Sequence, residues 1–305
     1  MRRTTPKPRR VAGYSAAASH VDSYDYILGD SPTESERLRN QAKLWDPVSH
    51  ALFDRLALTP GMRVLEVGPG QGSLHLELRR RVRGPVDAVE RSSVFAPHVV
   101  ELCKRDRWAA GRMWQCNLLD APLPRGHYDV IFARWVFMFL PDPAAHLAKL
   151  VAALRPGGVI ALQEYHRATL AMVPPLRDWV GFCSADRRFF ATQGGDVSVG
   201  SRLPTLYREA GLDLIATHPT LQVGHPGSAP WNWLSNYFLG VLDRMVGLPP
   251  FTAAAAKRLR KDWLQAAHNP AALAFGPTVL DVIGRKPTSR RKVARSTQSR
   301  ARRSE

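Results

Sequence analysis

Val64-Leu-Glu-Val-Gly-Pro-Gly-Gln-Gly72 is the stretch on which the reading of this chain turns. An apolar run ending in alternating glycines suits a buried strand that must turn at once into a helix. Gly68 and Gly70 let the backbone turn tightly and approach a ligand where a side chain would collide. The helix expected next, over residues 73–81 with Leu74 and Leu78 inward, offers unpaired N–H groups at its start. The dinucleotide form of such a loop, Gly-x-Gly-x-x-Gly, would carry its last glycine at position 73. Serine stands there and the third glycine is Gly72, so a pyrophosphate cofactor is the weaker reading.

Outward from this loop, strands and helices alternate. Arg63-Val-Leu-Glu-Val67 reads as a buried strand, Val86-Asp-Ala-Val-Glu90 as a second, and residues 95–103 as a helix. Arg112-Met-Trp-Gln115 is a short third strand and Tyr128-Asp-Val-Ile-Phe132 a fourth, after the turn Pro124-Arg-Gly-His127. A helix over 144–154 ends at Arg155-Pro-Gly-Gly158, before a fifth strand, Val159-Ile-Ala-Leu-Gln163. This rhythm calls for an α/β fold, a mostly parallel sheet with helices on both faces. A short helix over 203–210, a strand over 212–217 and a last strand over 278–284 continue it.

The flanks fill out the organisation. Residues 14–60 form an N-terminal helical segment, with helices over 35–45 (Leu38, Ala42 and Trp45 on one face) and 47–58 (Leu52, Phe53 and Leu56 inward). Residues 61–217 with 278–284 make the core. The insertion 218–277 holds two amphipathic stretches, 231–246 and 253–267, and is too apolar for a linker; it reads as a helical cap covering the acceptor site. The net charge of +17 is concentrated in two tails: residues 1–10 carry +5 and residues 285–305 carry +8, leaving +4 for the 274 between. Segments 1–13 and 285–305, rich in Arg, Ser, Thr and Pro, cannot build a core and are expected to be disordered, with weak non-specific polyanion contact as one use. There is no membrane-length apolar run, and the charged start, with no apolar stretch after it, does not read as a secretory signal. Three cysteines lacking metal-ligand spacing fit a reducing cytoplasm, with no metal.

Two acids accompany the loop. Glu66 lies just before it, where a carboxylate can meet a cationic or amino-bearing ligand. Glu90 ends the second strand, where an acid can accept both hydroxyls of a ribose. With Cys116-Asn-Leu-Leu-Asp-Ala-Pro-Leu-Pro124, Tyr128-Asp-Val-Ile-Phe-Ala-Arg134, Phe139-Leu-Pro-Asp-Pro143 and Leu154-Arg-Pro-Gly-Gly158 in order, the chain resembles the class I S-adenosylmethionine-dependent methyltransferases. The likeness is to the menaquinone/ubiquinone-type and bacterial natural-product enzymes. It is strong over residues 60–165 and weaker to 284. It implies a Rossmann-like sheet with an antiparallel final strand and S-adenosylmethionine as cofactor. It further implies that Glu66, Gly68 and Gly70 line the methionine and sugar end, with Gly72 supporting the loop. Glu90 would hold the ribose, and Arg91 or Ser92 border the adenine. Asn117 would contact the adenine amino group where the family usually carries Asp, with Asp120 as the alternative, and Leu118 would pack on the ring. Ala133 and Arg134 would reach the amino-acid portion, and Tyr14, Tyr24 or Tyr26 would close over the donor.

For the acceptor, the candidates are Gln163, Glu164, Tyr165 and His166, expected at the end of the fifth strand and just beyond it, with His166 as a general base for a phenol or hydroxyl. Trp135 is a candidate pocket floor. Six cap aromatics, Trp231, Trp233, Tyr237, Phe238, Phe251 and Trp263, fit either an aromatic acceptor pocket or the cap's own core. Phe182, Phe189 and Phe190 offer a second wall, and Arg187 and Arg188 beside them a site for a carboxylate or phosphate. The expected activity is methylation of a small or medium-sized metabolite by a monomer or homodimer. RNA or DNA methylation, a non-catalytic cofactor-binding regulator and a nicotinamide oxidoreductase are the alternatives.

Overall fold

The computed structural model describes residues 32–105 and 108–288; Tyr14, Tyr24, Tyr26, the first basic tail and most of the second lie outside them. Seven strands, β1 (Val64–Val67), β2 (Val86–Val89), β3 (Met113–Trp114), β4 (Tyr128–Arg134), β5 (Leu154–His166), β7 (Asp213–Thr220) and β10 (Thr278–Arg285), form one sheet. Their order is β3-β2-β1-β4-β5-β10-β7. β1 is parallel to both β2 and β4, β4 is parallel to β5, and β10 runs antiparallel to both neighbours. A smaller antiparallel sheet joins β6 (Ala171–Val173), β9 (Leu273–Phe275) and β8 (Val223–Gly224).

Strand alternation assigns the two faces. Val64 of β1 and Val130 and Phe132 of β4 pack with Leu52 and Phe53 of α1 (Pro32–Arg55) and Leu74, Leu78 and Val82 of α2 (Ser73–Val82). Leu65, Ile131 and Ala133, one residue along, face Leu147 and Leu150 of α4 (Pro143–Ala153) and Leu203 and Leu206 of α6 (Leu203–Glu209). Each such leucine, fully buried, contributes roughly 1.5–3 kcal/mol.

The two N-terminal helices expected from sequence are one. α1 runs through Pro47, because its buried stripe Gln41, Trp45, Ser49 and Leu52 continues at helical spacing while Pro47 lies on the exposed side. β5 is also longer than expected: it starts at Leu154, incorporates Gly157 and Gly158, and ends at His166. Pairing with β10 through Tyr165↔Val279 and His166↔Thr278 extends it. At the far end Lys286 donates to the carbonyls of Val151 and Leu154, so order continues past residue 284. The cap has a second contributor besides residues 218–277. α5 (Trp179–Thr192) packs Trp179 and Phe182 against Phe238 of α7 (Ala229–Val241), and Trp179 also stacks on Trp263 of α8 (Ala253–Ala266). No described helix is long and apolar enough to cross a membrane.

A buried polar strip fastens α1 to the sheet. Ser49 Oγ donates to Gln163 Oε1 at 2.6 Å and accepts from Arg134 Nη1 at 2.9 Å. Gln163 Nε2 donates to Asp281 Oδ1 at 2.6 Å, and Asp281 pairs with Arg55. Truncating the serine leaves a buried donor and acceptor unmatched, so Ser49→Ala is expected to lower unfolding free energy in urea by about 1–3 kcal/mol. An unchanged midpoint would show that the strip contributes nothing to stability.

Candidate functional site

The parallel strands end along one edge, and order reverses between β1 and β4, where an open α/β sheet leaves its crevice. A cavity of about 480 Å³ occupies that edge. Over β1–β3 it is lined by Glu66, Gly68, Gly70, Glu90, Arg91, Asn117 and Leu118; over β4 and β5, by Arg134, Trp135, Tyr165 and Arg167. Trp233 and Tyr237 of α7 and Arg37 and Gln41 of α1 close it above. Gly72 and Ala133 stand behind this wall: Gly72 against Val99 and Leu102, Ala133 wholly buried.

The loop after β1 is shaped by two glycines with different reasons. Gly68 has φ +69° and a Cβ there would lie 2.6 Å from Val136 Cγ2, so backbone and space both require glycine. Gly70 has φ +53° with nothing within 4 Å of a Cβ, which leaves open space above the loop. Glu90 braces it: Oε2 accepts from the Gly70 N–H at 3.1 Å and Oε1 from the Ser92 N–H at 2.8 Å. Burial pushes the Glu90 carboxyl up from its ordinary range, against those hydrogen bonds. The loop then enters α2, whose N-cap, Gly72, has no side-chain acceptor.

Glu66 has a partner the sequence reading missed. His75, in the first turn of α2, places Nδ1 2.9 Å from Glu66 Oε2, and both side chains are buried. Burial acts to lower the His75 pKa, but hydrogen bonding to Cys103 and Glu66 outweighs it and brings the ring up to about 9. A histidine nine residues from an acid is a poor sequence signal; the strand–turn–helix geometry brings them together.

Trp135 directly follows β4, at φ +54°, a left-handed conformation that costs a non-glycine residue about 1–2 kcal/mol. Its surroundings hold it there. Its ring stacks on Tyr165 at 4.9 Å and meets Trp45 edge-on at 5.7 Å, and its N–H donates to the Gln163 carbonyl. Next along, Glu164 Oε1 accepts from the N–H groups of Val136 (2.8 Å) and Phe137 (2.7 Å). Glu164 is fully buried, its carboxyl pushed up to about 8 by burial, and it braces this turn without lining the cavity. His166, the last residue of β5 and paired with Thr278 of β10, does not line the cavity either. Tyr165 does. The three consecutive residues diverge because they sit on a strand, where neighbours point to opposite faces.

The other acceptor candidates also separate. Trp233 and Tyr237 line the cavity, whereas Trp231, Phe238, Phe251 and Trp263 form the cap's core. Arg187 and Arg188 are exposed and away from the cavity; the guanidinium that reaches it is Arg167, which the sequence reading passed over. No cluster of three or more potential metal ligands occurs among the described residues.

Residues 37–217 match the family described as "Methyltransferase domain". The chain belongs to that family. S-Adenosylmethionine is the cofactor this implies. A trans-aconitate 2-methyltransferase from Rhodopseudomonas palustris is 33% identical over 113 residues, 37% of this chain and 42% of that protein. Nocamycin O-methyltransferase from Saccharothrix syringae is 29% identical over 192 residues, 60% of each. The chain thus spans about half the length of these curated relatives. Geranyl diphosphate C-methyltransferase from Streptomyces coelicolor, solved with S-adenosylhomocysteine, shares the fold at TM-score 0.50 and 15% identity, over 85% of each chain.

The His75–Glu66 pair makes stability depend on pH with a definite sign. Its histidine binds a proton more tightly folded (about 9) than at the reference value of 6.5, so its stabilisation is complete below 6.5 and is lost as pH rises through 9. In urea titrations the stability difference between wild type and His75→Gln is expected to shrink across that interval. A difference that stays flat from pH 6.5 to 9 would contradict the pairing.

Proposed function

We propose that this chain transfers the methyl group of S-adenosylmethionine to a small or medium-sized metabolite lying between the sheet edge and the cap. The observation that carries this is the continuity of the cavity from the Gly70–Glu90 brace to the aromatic wall of Trp135, Tyr165 and Trp233.

The residues present fit the donor. Gly70 leaves open space over the loop, and the start of α2 has no side-chain cap, so backbone N–H groups remain for an anionic ligand group. Glu90 spends one lone pair of each oxygen on backbone and keeps others for ribose hydroxyls. Leu118 supplies an apolar face and Asn117 a carbonyl for an adenine amino group. Glu66 and Arg134 border the amino-acid end, Arg134 being held by Asp46 at 2.9 Å and Ser49. When bound, the cofactor supplies a methyl carbon on a positively charged sulfur, open to in-line attack.

This chain's contribution is alignment and exclusion of water. Gln41 joins the lids: its Oε1 accepts from Arg37 at 2.8 Å and from Trp233 Nε1 at 3.3 Å, tying α1 to α7 above the cavity. Burial pushes the Tyr165 phenol well up, so it stays protonated, suited to donating a hydrogen bond and not to removing a proton. Acceptor nucleophiles that are already ionised therefore suit this wall. The R. palustris relative is named for trans-aconitate, a small organic acid, which agrees with that preference.

Glu90→Ala is expected to weaken S-adenosylhomocysteine binding by about 1–3 kcal/mol in calorimetric titration, the scale of hydrogen bonds to an ionised group. Wild-type affinity in the folded variant would remove Glu90 from the donor site.

A further inference from the structure

Arg167 follows β5 directly, and only 8% of its surface is exposed. Its Nη1 donates to both oxygens of buried Asp186, at 3.0 and 2.8 Å, and to the Tyr237 hydroxyl. Tyr237 in turn donates to Asp186 Oδ1 at 2.6 Å. Three rings flank the guanidinium, with centroids 4.5 Å (Tyr237), 5.0 Å (Phe190) and 5.3 Å (Tyr165) away. Asp186 lies on α5 and Tyr237 on α7, so the arginine is locked by both halves of the cap.

The locking uses one nitrogen. Nε and Nη2 make no hydrogen bond among the described residues, whereas Nη1, the Asp186 carboxylate and the Tyr237 hydroxyl are all engaged. Nε and Nη2 form the side of the guanidinium that meets a carboxylate with two parallel bonds. Arg167 and Tyr237 line the cavity while Asp186 does not, so the only acid of the cluster is withheld from a ligand. Tyr165 lines the same wall, and its hydroxyl lies in the fields of Arg167, Arg37 and Arg134. Beside these donors, Trp135 and Tyr165 are stacked with 9° between their planes, and Trp233 faces Tyr165 at 6.4 Å. These rings form a contiguous aromatic wall.

We propose that Arg167, through its Nε and Nη2 groups and aided by the Tyr165 hydroxyl, anchors an ionised carboxylate of the acceptor, and that the acceptor is an organic acid whose apolar body lies against the aromatic wall. A neutral acceptor would leave a buried cation's donors half used, whereas a carboxylate accepts from the guanidinium edge and the phenol together. The proposal rests on the methyl-donor reading only for deciding which end of the cavity belongs to the acceptor.

The test is calorimetric titration of the full chain, with and without S-adenosylhomocysteine, using 2-naphthoate, cinnamate and trans-aconitate, each against its neutral amide. The acids are expected to bind at least about tenfold more tightly than their amides. Arg167→Lys keeps a positive charge against Asp186 and so protects folding, but lacks the two-donor edge; it should erase that preference. Tyr165→Phe keeps the ring stack and should weaken acid binding severalfold with little effect on amides. Equal binding of acids and amides by wild type, no binding of any acid, or full acid preference in Arg167→Lys would each overturn the proposal. Failure of S-adenosylhomocysteine to bind while the acids still prefer wild type would instead remove the methyl-donor reading and leave the anchor standing.

Discussion

One carboxylate holds the donor side of this molecule in shape. Glu90, at the end of β2, accepts backbone N–H groups from Gly70 in the loop after β1 and from Ser92 in its own following loop. Both loops overhang the same crevice, and neither belongs to the regular ladder of the sheet. The left-handed turn through Gly68 and Gly70 is thus tied to its neighbouring strand twice, by this clasp and by the Gly68 N–H donating to the Val89 carbonyl at 2.8 Å. Gly68 in turn must lie close to Val136, whose N–H is held by Glu164. The chain of dependence runs from β2 through β1 to the end of β4, so the two halves of the cavity share one framework.

The second half is fixed by aromatic packing around a strained residue. Trp135 adopts its left-handed backbone at the mouth of β4, where Trp45 from α1 and Tyr165 from β5 clamp its ring. Trp45 also packs edge-on against Trp233 of the cap at 5.3 Å. α1 is therefore more than an N-terminal addition. Its C-terminal part fills one sheet face through Leu52 and Phe53, and its N-terminal part closes the cavity through Arg37 and Gln41. Ser49 lies between these parts and couples them to Arg134 and Gln163.

Much of this was legible in the residues, and the gaps have physical causes. Short apolar runs bounded by Gly and Pro located the core strands, because burial on both faces leaves little else they can be. The glycine loop and Glu90 were legible because a tight turn and a strand-end acid are local features. Pro47 misled because local propensity forbids what a continuous buried stripe on the opposite side permits. Glu164 and His166 were expected at the ligand edge because β5 was read as ending at Gln163; only pairing with β10, far along the chain, shows that the strand continues. His75 and Arg167 were invisible for a related reason. Each is defined by a partner (Glu66 across a turn, Asp186 and Tyr237 across the cap) that no spacing rule connects.

The central claim is that the crevice beside Gly70 and Glu90 binds the adenosyl sulfur cofactor and no dinucleotide. Its most direct test is calorimetric titration of the full chain with S-adenosylhomocysteine and, separately, with NAD. Saturable binding of S-adenosylhomocysteine at one per chain, with none of NAD, is the predicted result. Saturation by NAD without binding of the sulfur compound would contradict the account.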